Sequence, residues 1–179
     1  MRNSGYVRLC VGLGFLVSLQ FTSLQVLAVE KGDIAPNFTL PSLIENNFVT
    51  LSDYHGKVVF LDFWSAWCSP CRESLPQLSN MRNSLSSNHF ELLSVDVDVE
   101  PKDALKFISS ITGSEPLNHP VAMDPGATTA ELYRYTTLPA SYLINRNGVV
   151  EQIHRNFQAK DVSSLRAEIT RLINQQYEG

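Results

Sequence analysis

Between Val58 and Trp64 the chain reads VVFLDFW, apolar at every position except Asp62 and rich in β-branched and aromatic side chains. A run without alternation predicts a strand buried on both faces, as in a parallel sheet flanked by helices. The period then changes. From Pro70 to about Ser86, Leu75, Leu78, Met81 and Leu85 recur at spacings of three and four, which predicts an amphipathic helix. Pro70 suits its first turn, whereas Pro76 removes a donor inside it and predicts a kink. Further along, FELLSVDVDV predicts a second strand and PKDALKFISSI a second helix headed by Pro101. HPVAMD predicts a short strand and ATTAELYRY a short helix. ASYLINRNGVVEQIH predicts a hairpin turning at Asn147 and Gly148, and KDVSSLRAEITRLINQQ a closing helix. Before Val58 the pattern is weaker: a Pro-punctuated lead-in, one extended piece around Phe38 to Leu40, and turns at Glu45–Asn47 and at DYHGK. Strands alternating with helices, then a hairpin and a last helix, predict an α/β fold with a mixed central sheet. No internal repeat or low-complexity linker interrupts it.

At 179 residues with 44% hydrophobic content the chain is long enough for one domain with a proper core. The first 28 residues stand apart. Arg2 and Arg8 precede an apolar segment ending in Val26, Leu27 and Ala28, the pattern of a secretory signal cleaved after Ala28. An uncleaved anchor is the rival, but Gln20, Thr22, Ser23 and Gln25 interrupt a segment that would need about 20 apolar residues to span a bilayer. Cys10 follows Arg8 and precedes most of the apolar segment, the wrong place for a lipidated cysteine. Residues 29–179 are then the working domain. Removing the signal takes away Arg2 and Arg8 and no acid, which moves the formal charge from -4 to -6. Nucleic acid is not the expected partner of such a chain, because that binding draws on clustered Lys and Arg.

Of three cysteines, Cys68 and Cys71 remain after the signal is gone, which is too few for a disulfide scaffold. A Cys-x-x-Cys pair admits three readings. A structural zinc site needs four ligands, and His55, His89, His119 and His154 are scattered singly, without ligand spacing. A structural disulfide across so short a loop removes little unfolded-chain entropy. The third reading is a dithiol that cycles with its disulfide. Cys68 follows a buried strand and opens a helix, where unpaired N–H groups and the helix dipole favour a thiolate. Cys71, one turn further in, is expected to be the more buried thiol, able to attack a mixed disulfide and release the substrate.

DFWSAWCSPC resembles the active-site segment of thioredoxins, and the chain from about Gly32 to Ile173 is similar to their exported TlpA-like branch. That likeness rests on GDIAPNFTL, a GK turn before the central strand, Trp67 ahead of the first cysteine, PCRESLP after it, and TLPASYLINRNG. It implies a thioredoxin-like fold with an N-terminal extension, a central insert around residues 98–120, and thiol-disulfide exchange as the activity. It also implies that Cys68 is the nucleophile, Cys71 the resolving thiol, and Asp62 a buried acid assisting Cys71. Pro76 matches the family's helix kink. Pro139, preceded by Leu138, matches a proline with a cis bond facing the cysteines, and Trp67 with Leu138 and Pro139 would shape the substrate groove. Two departures stand out. Several TlpA-like reductases carry Glu where this chain has Ser74, and the neighbouring Glu73 is expected to face solvent; the lysine that thioredoxins often place near the buried acid is missing from FELLSVDVDV.

Other polar residues read more plainly. Trp64 is expected to pack in the core, the acids of DVDVE (Asp96 to Glu100) to form a solvated face rather than a metal site, and the four histidines to lie at the surface or in caps. No cofactor and no metal are expected. The leading function is a monomeric thiol-disulfide oxidoreductase of the bacterial periplasm. Its partners would be exported proteins with thiols or disulfides, apocytochrome c among the candidates, and a membrane electron donor. The rival is a soft-metal module in which the dithiol binds Cu(I), although no His or Met is placed to complete the site. A peroxiredoxin-like peroxidase shares the APNFTL lead-in, but Ser65 and Ala66 do not supply the Thr expected before its reactive cysteine.

Overall fold

The strand predicted at VVFLDFW is the centre of the molecule. In the computed structural model, which describes residues 28–85, 88–113, 115 and 117–175, Val58–Trp64 (here β3) is buried at all seven positions. The expected signal segment and its cleavage site lie almost wholly outside the described residues, which begin at Ala28. Ahead of β3, Thr39–Pro41 (β1) and Phe48–Thr50 (β2) pair antiparallel as a small separate sheet. β2 was not evident in the pattern. It is three residues long, only Val49 faces the core, and Phe48 is exposed, so no period can show.

The main sheet holds β3, Phe90–Asp96 (β4), Val121–Met123 (β5), Ala140–Ile144 (β6) and Val150–Arg155 (β7) in the order β5-β4-β3-β6-β7. β4 runs parallel to β3 and β5 parallel to β4, whereas β6 and β7 are antiparallel neighbours. The sheet is therefore mixed, as expected. Ser69–Ser84 (α1) follows β3, Pro101–Thr112 (α2) follows β4, Thr128–Tyr133 (α3) follows β5, and Val162–Ile173 (α4) closes the chain. The segment expected as an insert contributes α2 and the approach to β5. The Asn147–Gly148 turn is fastened by Asn145, whose Oδ1 accepts the N–H groups of Asn147 and Val149 at 2.9 and 3.1 Å, while Gly148 takes φ 79°.

Alternation along β3 sorts its side chains onto two faces. Val59, Leu61 and Phe63 pack with Leu93, Val95, Tyr133 and Tyr142, under β1 and β2. Val58 and Phe60 face the other way, against Leu78 and Met81 of α1 and Leu165, Ile169 and Leu172 of α4. Burying each such side chain contributes roughly 1.5–3 kcal/mol. Asp62 and Trp64 fall on this second face by the same period, beneath the start of α1. Trp64 is fully buried and stacks on Phe107 of α2 at 5.2 Å. Pro76 sits inside α1, which is helical on both sides of it.

Two expectations fail here. Asp96 and Asp98 are not a solvated face: both are buried, because β4 is an interior strand and α2 with the β3–α1 loop covers its end. Nor are all the histidines superficial. His55 and His89 are exposed, but His119 is buried and bonded to Ser94 at 2.9 Å, and His154 packs edge-on against Phe60 and Phe157.

Candidate active site

Cys68 is the N-cap of α1, in extended conformation, and Cys71 lies in the first turn. Pro70 follows at a position where the helix has no use for an N–H, so the sequence that carries the cysteines also starts the helix. The two sulfurs form a disulfide, with Cα atoms 5.3 Å apart. Cys71 is wholly buried and Cys68 is 4% exposed. The helix N-terminus supplies unpaired N–H groups beside Cys68, an environment that favours negative charge there when the disulfide is open.

The loop in front of Cys68 is held from below. Cys68 N–H closes a turn onto the Ser65 carbonyl at 3.1 Å, Val97 N–H donates to the Trp64 carbonyl at 3.0 Å, and Ala66 N–H donates to Asp98 Oδ2 at 2.7 Å. Trp67, in the same turn, is 73% exposed, a large aromatic surface set next to the disulfide. A cleft of about 420 Å³ opens beside it, lined by Trp67, Arg72, Asp98, Asp103, Lys106 and Phe107. The Leu138–Pro139 bond is cis, and Leu138 packs into the cluster that contains Cys68, Cys71, Leu75 and Trp64. Pro139 is buried at the head of β6.

Asp62 is 1% exposed, and its neighbours across the sheet are Ser94 on β4 and Ser141 on β6. Ser141 donates its hydroxyl to Asp62 Oδ1 at 2.7 Å, while Oδ2 has no protein hydrogen-bond partner. Burial disfavours the carboxylate and pushes the group up to about 7, against the pull of the Ser141 hydroxyl. Beyond Ser94, which bonds to His119 at 2.9 Å, burial and the Arg82 charge push that histidine down to about 3, so it is neutral at physiological pH. Ser74 points into the interior with its hydroxyl unpaired by protein, and Glu73 is exposed as expected.

The structure thus gathers Cys68, Cys71, Trp67 and Leu138 at one end of β3, with Pro139 beside them at the head of β6 and Asp62 two residues back from Trp64 on the same face. Ser141 and His119 were not anticipated. Their approach to Asp62 and Ser94 depends on how β6 and β5 register on the sheet, and nothing in their own sequence surroundings marks it. Among the described residues no group of three or more His, Cys, Asp or Glu side chains is arranged to hold a metal ion.

Two sulfurs that bond to each other when oxidised, one capping a helix and one just beneath it, pass electrons two at a time. The sheet that carries them is that of the thioredoxin fold, and the class so defined is the thiol-disulfide oxidoreductases. Comparison with known proteins agrees and is narrower: residues 31–153 match the AhpC/TSA family, to which this chain belongs. It is 32% identical over 161 residues to the thiol-disulfide oxidoreductase ResA of Geobacillus kaustophilus, covering 90% of this chain and 89% of that protein. With ResA of Bacillus subtilis it shares 33% identity over 126 residues, 70% of this chain and 68% of the relative. Among solved structures, a thiol:disulfide interchange protein DsbE from Chlorobium tepidum superimposes with a TM-score of 0.75 at 37% identity, covering 82% of this chain and all of the other. The protein is a thiol-disulfide oxidoreductase of the ResA/DsbE type, with Cys68 and Cys71 as its redox pair.

Proposed function

We propose that this oxidoreductase donates electrons to disulfides of exported proteins in the periplasm, acting as a monomer formed by residues 29–179 after a signal of residues 1–28 is removed. Cys68 is the attacking sulfur. Its thiolate attacks one sulfur of a substrate disulfide, the other sulfur leaves as a thiolate that takes a proton from solvent, and a mixed disulfide remains. Cys71 then gives its proton to Asp62 and attacks Cys68 Sγ. The Cys68–Cys71 bond forms as the second substrate thiol departs, so two electrons have moved to the substrate. A dithiol donor at the membrane must return them before the next cycle. Trp67, Leu138 and Pro139 border the place where the substrate chain lies.

One observation carries this reading: a fully buried carboxyl poised near neutrality, with one oxygen free of protein partners, on the same face of β3 as Trp64, which packs with Cys71. A group that titrates near working pH is suited to take and return a proton in each cycle. The extracytoplasmic setting is supported by the charge and hydropathy of residues 1–28, and no helix among the described residues is long and apolar enough to cross a membrane.

The reading is tested by expressing Cys71→Ser in the native host and isolating the mixed disulfides that accumulate. Exported thiol proteins bound through Cys68 are expected, with apocytochrome c as one candidate. Adducts confined to cytoplasmic proteins, or none dependent on Cys68, would overturn it.

A further inference from the structure

The turn that presents Cys68 is fastened to a buried carboxylate that the exchange chemistry above does not use. Asp98 lies two residues past β4 and is 5% exposed, and its Oδ2 accepts Ala66 N–H at 2.7 Å. Ala66 is inside the turn that Cys68 N–H closes on Ser65, which fixes the carboxylate two residues from the attacking sulfur. Behind it Asp96 is completely buried. Its Oδ1 accepts Asp98 N–H at 3.4 Å, and its Oδ2 has no protein partner. Two carboxyls buried side by side do not both ionise readily. Burial first, then the neighbouring Asp98 carboxylate, push Asp96 up to about 8, against the pull of the Asp98 N–H.

The surrounding charges leave that negative charge largely unanswered. Arg72 of α1 stacks over Phe107 at 4.9 Å and donates to Ser110 at 3.0 Å. Asp103 and Lys106 of α2 line the same cleft with opposite signs. Asp124, after β5, has its carboxylate occupied by the N–H and hydroxyl groups of Thr128 and Thr129. Among the described residues neither Asp96 nor Asp98 forms an ion pair.

We propose that Asp98, backed by Asp96, is a positioning residue for disulfide exchange: it holds the Ser65–Trp67 turn through Ala66 N–H, and its charge opposes a thiolate on Cys68, which biases the pair toward the disulfide and makes the dithiol a stronger electron donor. This deepens the function proposed above and rests on Cys68 being the attacking thiol. The charge and the hydrogen bond are separable, because an asparagine oxygen can still accept from Ala66 while carrying no charge.

The experiment follows iodoacetamide alkylation of the fully reduced protein across pH, with the modified cysteine mapped by mass, together with the equilibrium constant against glutathione. In Asp98→Asn, Cys68 is expected to react about three- to tenfold faster at pH 7, the magnitude of a like charge removed from beyond direct contact. The midpoint of its pH profile should move to lower pH, and the equilibrium should shift toward the dithiol by a similar factor. Asp96→Asn provides a second reading should Asp98→Asn fold poorly. It removes the group whose ionisation adds charge above neutrality, so the alkylation profile should steepen on its alkaline side. A folded Asp98→Asn with the wild-type profile and equilibrium constant would overturn the inference, and so would an unaltered alkaline arm in Asp96→Asn. If the wild-type protein were instead alkylated first at Cys71, the assignment of the attacking thiol itself would fail, a result distinct from either.

Discussion

Cys68→Ser is expected to lower the reduction of insulin disulfides by roughly a thousandfold or more, to the rate of the free reductant alone. The loss should be that large because no other sulfur can take over the attack. Cys71 is entirely buried in the first turn of α1, and Cys10 lies in the segment expected to be removed. Cys71→Ser should differ in kind. Its Cys68 still attacks, so the first half of the reaction proceeds once, and the protein then stalls as a mixed disulfide. Turnover assays beside non-reducing mass analysis separate the two variants. Turnover by Cys68→Ser close to that of the wild type would show that the attacking thiol is misassigned.

Asp62→Asn should make the oxidised protein more stable at alkaline pH and slower at resolving its mixed disulfide. In the unfolded chain Asp62 releases its proton near 3.8, and in the folded protein near 7. Between those values the folded state holds more protons, so stability falls as pH rises and the full penalty is present above about pH 7. For a group this buried the full penalty is on the order of 4 kcal/mol, which the amide removes. His119 works in the opposite sense. The unfolded chain takes up its proton near 6.5 and the folded protein only near 3, so this group's contribution rises with pH across that interval. Over the shared range of acidic pH the two slopes offset each other in the wild type. Asp62→Asn should expose the His119 slope, seen as stability that climbs from pH 4 to 6.5 in chemical denaturation. The same variant should slow resolution of a Cys68–thionitrobenzoate adduct by about a hundredfold, the usual worth of a positioned base. An unchanged resolution rate across neutral pH would remove Asp62 from the mechanism, while an unchanged stability profile would mean that its carboxyl is not held protonated by burial. Retaining an acid that weakens the fold at working pH is the pattern expected where a residue is kept for its chemistry.

How much of this was legible before the structure depends on whether the signal is local. The β3 run, the α1 period, the β6–β7 turn and the placing of Cys68 at a helix start are all local, and each predicted element is found within a few residues of where the pattern put it. Asp62 stood out because it is the one acid in an otherwise apolar strand. Ser141 donates to that acid at 2.7 Å, yet its sequence neighbourhood, LPASYLI, says only that a strand is present. Its role comes from the antiparallel register of β6 on β3. The misreading of Asp96 and Asp98 has the same origin. Acids at alternate positions at a strand end normally face water, and here α2 and the β3–α1 loop fold over that end. Only the tertiary arrangement shows that Asp98 is holding Ala66.

The direction of electron flow is the claim on which the rest turns, and the equilibrium potential of the Cys68–Cys71 pair measures it. Neither Ser69 nor Pro70 places a positive charge between the cysteines, and Asp62 and Asp98 both disfavour a thiolate at this end of the sheet. The dithiol is therefore less stabilised than in a strong oxidant. Equilibration in glutathione buffers, followed by alkylation and mass counting of free thiols, should give a value of about -200 to -270 mV, the range from glutaredoxins to thioredoxin. A value near the roughly -120 mV of a strong oxidant would contradict the account and make the protein an oxidase of exported thiols.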